Sequence, residues 1–128
     1  MGGEIMPIHF TATKSKKELS KGLRWVYFPE KIKTYLVACQ DEFSSYPTLL
    51  NELTDIGDTL LTEEVLEQLL KFCGEIEAIT KVVDDYSFFD KWKSFNIRQD
   101  DLRAFAIELT CLIRYAQQSN LQIWSVGE

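Results

Sequence analysis

The sequence predicts a mainly α, α+β domain: about five helices around a central helix, with short strands at the two termini that could pair. Three observations carry this reading. Thr62–Val83 is the longest helical pattern, with Val65, Leu66, Leu69, Leu70, Cys73, Ile76, Ile79 and Val83 at three- and four-residue steps. A second long pattern covers Arg98–Ser119, with Leu102, Phe105, Ala106, Leu109, Leu112, Ile113 and Ala116 as its stripe. The segments Glu4–Thr11 and Leu121–Val126 alternate apolar and polar residues, as half-buried strands do. An apolar content of 45% in 128 residues supplies one core. Residues 1–128 are therefore read as a single domain, with a strand in 1–13 and a helical body with a closing strand in 14–128.

In chain order, Pro7 lacks an N–H, so the first strand is an edge strand or begins there. Met1-Gly2-Gly3 admits two readings, native or an expression remnant ahead of a natural start at Met6. Lys14–Lys21 is polar and basic and reads as a loop or short helix. Leu23–Phe28 is ambiguous: its aromatic and β-branched content favours a strand, while Leu19, Leu23 and Val26 keep a helical step, and the reading leans to helix. Pro29 suits the first position of a helix over Glu30–Ser44, striped by Ile32, Tyr35, Leu36, Cys39 and Phe43. Thr48–Ile56 reads as a short helix with Gly57 as its C-cap. Asp58–Leu61 leads into the central helix, for which Thr62 is a good N-cap. Gly74 inside that helix suggests a close helix crossing. Ser87–Phe95 forms a further helix with Phe88, Phe89, Trp92 and Phe95 on one face, an arrangement that more simply means core than binding site. Asn120 is a left-handed cap for the last helix, and Arg114 near that helix's end suits the dipole.

Composition narrows the function. No apolar run approaches the roughly 20 residues that span a bilayer, and Lys14, Lys16 and Lys17 are not followed by a secretory apolar stretch. A cytoplasmic location and no membrane partner are expected. The three cysteines, Cys39, Cys73 and Cys111, are odd in number and widely spaced. They read as reduced residues on apolar helix faces rather than a disulfide framework. The net charge of −6 is uneven. Residues 1–34 hold seven Lys/Arg and three acids, residues 35–90 two Lys and thirteen acids, and residues 91–128 five Lys/Arg and four acids. An acidic middle repels phosphate backbones, so no nucleic-acid partner is expected, and it suits a basic protein.

Motifs for chemistry are missing. His9 is the single histidine, and no C-x-x-C spacing exists, so no metal site is expected. No Gly-rich phosphate loop is present, and no cofactor is implied. Acid pairs recur at Asp41-Glu42, Glu63-Glu64, Asp84-Asp85 and Asp100-Asp101. Glu63-Glu64 and Asp100-Asp101 are accounted for as first-turn helix charges.

These features point to a non-enzymatic domain that works by protein–protein contact. A small, acidic, motif-free domain resembles bacterial immunity proteins, which bind and block a cognate toxin, often a basic nuclease. The resemblance is one of general character over the whole chain, carried by the acidic run Asp41-Glu42, Asp55, Asp58, Glu63-Glu64 and Glu67. It implies occlusion: carboxylates pair with a basic toxin and exposed aromatics anchor the contact. Asp84, Asp85 and Tyr86 join that run as candidate partner-binding residues. Two other classes stay open. An enzyme would use a carboxylate pair or His9, in a concave pocket with a shifted pKa. A homo-oligomeric structural or regulatory subunit would associate through Leu23–Phe28 or the closing strand.

Overall fold

The computed structural model describes residues 8–21, 24–53, 57–81 and 97–127. In chain order these form β1 (Ile8–Thr13), β2 (Trp25–Phe28), α1 (Glu30–Ala38), β3 (Gly57–Leu61), α2 (Glu63–Lys81), α3 (Gln99–Ser119) and β4 (Gln122–Gly127). Short 3-10 turns lie at Lys16–Lys21, Gln40–Glu42 and Thr48–Asn51. The architecture is α+β, with three helices and a four-stranded antiparallel sheet ordered β2-β1-β4-β3 among the described residues. It corrects the expectation of five helices around a central helix.

The terminal strands do pair, and they form the middle of the sheet: Phe10 faces Ser125 and Thr11 faces Trp124. What the sequence reading missed are the two edges. Trp25–Phe28 is a strand, not a helix, because its alternation buries Val26 and Phe28 on one face while Trp25 and Tyr27 face out. That two-residue period outweighs the helical step through Leu19 and Leu23. Gly57–Leu61 is also a strand, so Gly57 (φ +92) opens β3 rather than capping a helix. The Thr48–Ile56 helix reduces to the 3-10 turn Thr48–Asn51, with residues 54–56 outside the described set. Val83 and the Ser87–Phe95 helix also lie outside the described residues.

The sheet has two unlike faces. On one, Phe28 and Ile8 form a row, Val26, Phe10, Ser125 and Thr59 a second, and Ala12, Ile123 and Leu61 a third. Phe28 stacks on Phe105 of α3 at 4.9 Å, so this is the face the helices cover. The other face carries Tyr27, His9, Val126 and Asp58 in one row and Trp25, Thr11, Trp124 and Leu60 in the next.

The helix that joins everything is α3, not the Thr62–Val83 segment. It packs on β1, β2 and β4 and along α2, and its seven stripe residues are all buried as the spacing predicts. The stripe of α2 is buried at Leu66, Leu69, Cys73 and Ile76, with Phe72 added. Phe72 receives Phe43 edge-on at 4.9 Å and Tyr46 at 5.4 Å. The chain after α1 thus packs on a second flank of α2 that the single stripe did not include. Gly74 is exposed and has open space where a Cβ would sit, so no close crossing explains it.

Local signals set the helix ends. Pro29 is the N-cap of α1 rather than its first residue, and its carbonyl accepts the Lys33 N–H at 3.0 Å. The Thr62 hydroxyl accepts the Val65 N–H at 3.3 Å, capping α2. Asn120 ends α3 in the left-handed conformation (φ 56). Arg114 falls short of the last turn of α3, which carries no basic residue.

Candidate functional site

Helices α2 and α3 lie side by side with opposite ends adjacent, and the two ends of the pair differ. At one end, side chains of α3 close over the last carbonyls of α2. Gln99 donates to the Thr80 carbonyl, and Arg103 donates to the Glu77 carbonyl at 3.5 Å. The Thr80 hydroxyl donates back to the Ile76 carbonyl at 2.8 Å. This end is occupied by the chain's own donors, including a guanidinium.

The opposite end is open. The first turns of α2 and the last turn of α3 enclose a groove of about 480 Å³ lined by Glu63, Glu64, Leu66, Glu67, Ala116, Gln117, Asn120 and Leu121. Leu66 and Ala116 are buried, and Leu121 is half-buried. The three glutamates and Asn120 are exposed around them. No lysine or arginine is among the described lining residues. The partial charges at the α2 N-terminus and the α3 C-terminus are opposite in sign and largely cancel. The field in the groove is therefore set by three carboxylates. With an apolar floor, a carboxylate rim and amide groups from Gln117 and Asn120, it can seat a cationic side chain and its aliphatic stem.

The structure brings together only part of the acidic set expected from sequence. Glu63, Glu64 and Glu67 share the groove. Asp41 and Glu42 are exposed in the 3-10 turn Gln40–Glu42, whose neighbours Ser44 and Ser45 bond to Glu75. Glu75 is eight residues beyond Glu67, or about 12 Å along the helix. Asp58 is exposed on the other sheet face, beside Val126. Asp55, Asp84, Asp85 and Tyr86 lie outside the described residues. The described part of the acidic run thus lies in one groove and at two separate surface positions. Gln117, Asn120 and Leu121 were missed because nothing local marks the end of α3 as a neighbour of the start of α2.

Other candidate chemistry sits elsewhere. His9 is half-buried on the sheet face opposite the helices, its ring 5.7 Å from that of Trp25 and 5.4 Å from that of Tyr27, and it lines neither the groove nor the two cavities beside β2. Cys73 is buried, and burial pushes its thiol up to about 12, with Glu77 adding to the rise and Thr110 opposing it. It is not a nucleophile at neutral pH. Cys39 is buried too, whereas Cys111 is exposed, which corrects its placement on the apolar face of α3. Among the described residues no three His, Cys, Asp or Glu side chains are grouped to hold a metal ion. No described helix is long and apolar enough to cross a membrane. No family model, curated protein or solved structure matches the chain.

Proposed function

We propose that the chain is a protein-binding domain whose groove between α2 and α3 receives a basic partner, acting by occlusion as an immunity protein acts on its toxin. One observation carries the proposal: three carboxylates line a groove with no lysine or arginine among its described lining residues. The opposite end of the same helix pair, where Arg103 supplies a donor, is the internal contrast. The reading assigns no reaction to the chain.

Magnitudes separate what charge and packing each contribute. An exposed ion pair yields about 0.2–1 kcal/mol, so three give about 0.6–3 kcal/mol. That is about three- to a hundred-and-sixtyfold in affinity. Charge therefore supplies encounter rate and selection of a basic surface. The apolar floor of Leu66, Ala116 and Leu121 supplies contact for the stem of the entering side chain.

The test is affinity capture from the native host with the purified chain as bait, at low and high salt. The expected result is one basic protein, released as salt rises. Paired with Glu64→Lys and Glu67→Lys in one chain, recovery is expected to fall at least about tenfold, since two attractions become repulsions. Undiminished capture of the same protein by the charge-reversed chain contradicts the groove as the docking site.

A further inference from the structure

We draw no further inference here: the strongest candidate, the cavity of about 290 Å³ between the start of α1 and the first half of α3, lined by Ile32, Ile97 and Phe105 with Lys31, Asp101 and Glu108 exposed around them, carries charges of both signs that select no one occupant, and nothing in the structure shows what covers it.

Discussion

At the scale of single residues, Glu75 shows how one side chain ties a loop to a helix. Its carboxylate accepts the N–H of Ser44 at 3.0 Å and of Ser45 at 2.6 Å. Burial pushes its pKa up, but these bonds and those of the two serine hydroxyls outweigh burial and hold it below the usual 4.5. A depressed folded pKa contributes stability that is complete above the unfolded value and is lost as pH falls through the folded one. Glu75→Ala is expected to cost about 1–2 kcal/mol at neutral pH, the scale of a charge-assisted hydrogen bond partly open to water. The urea midpoints of the two chains should converge in acid, below the ordinary glutamate value. A constant gap through that range contradicts the assignment. This contact was not legible beforehand, because Glu75 and Ser45 are thirty residues apart. Thr62 and Asn120 were legible, because a cap acts within one turn of its own position.

At the scale of elements, the helical stripes were readable and the sheet edges were not. The stripe of α3 needs only a 3.6-residue period, and all seven of its residues are buried. The terminal strands alternate clearly enough to be seen in isolation. By contrast Gly57-Asp58-Thr59-Leu60-Leu61 has one β-branched residue, and its strand character comes from pairing with β4, more than sixty residues away. In β2, the cross-strand pairing of His9 with Tyr27 and of Phe10 with Val26 settles a choice that local composition left open. Gly74 belongs to this scale as well. With open space at its Cβ position and an exposed place in α2, it carries the conformational cost of glycine without a packing return. Gly74→Ala is expected to stabilise the domain by about 1 kcal/mol. Thermal unfolding at matched concentration checks this, and a lowered midpoint would show that the position is in fact crowded.

At the scale of the whole molecule, the glutamate groove and the exposed aromatics of the described residues lie apart. The groove sits where α2 begins and α3 ends, while Trp25 and Tyr27 lie on the sheet face opposite the helices. The sequence showed the acidic middle of the chain as one run. The fold instead gathers Glu63, Glu64 and Glu67 and leaves Asp41, Glu42 and Asp58 apart. Net charge is a property of composition, whereas a site is a property of which helix ends meet. That juxtaposition arises from the antiparallel packing of α3 along α2, which the stripes permit without specifying. We propose docking in the α2–α3 groove. Its most direct test is an amide-exchange footprint of the chain bound to the basic protein it captures. Protection confined to Glu63–Glu67 and Gln117–Leu121 is the expected result. Protection confined to the strands, with the groove exchanging as in the unbound chain, would contradict it.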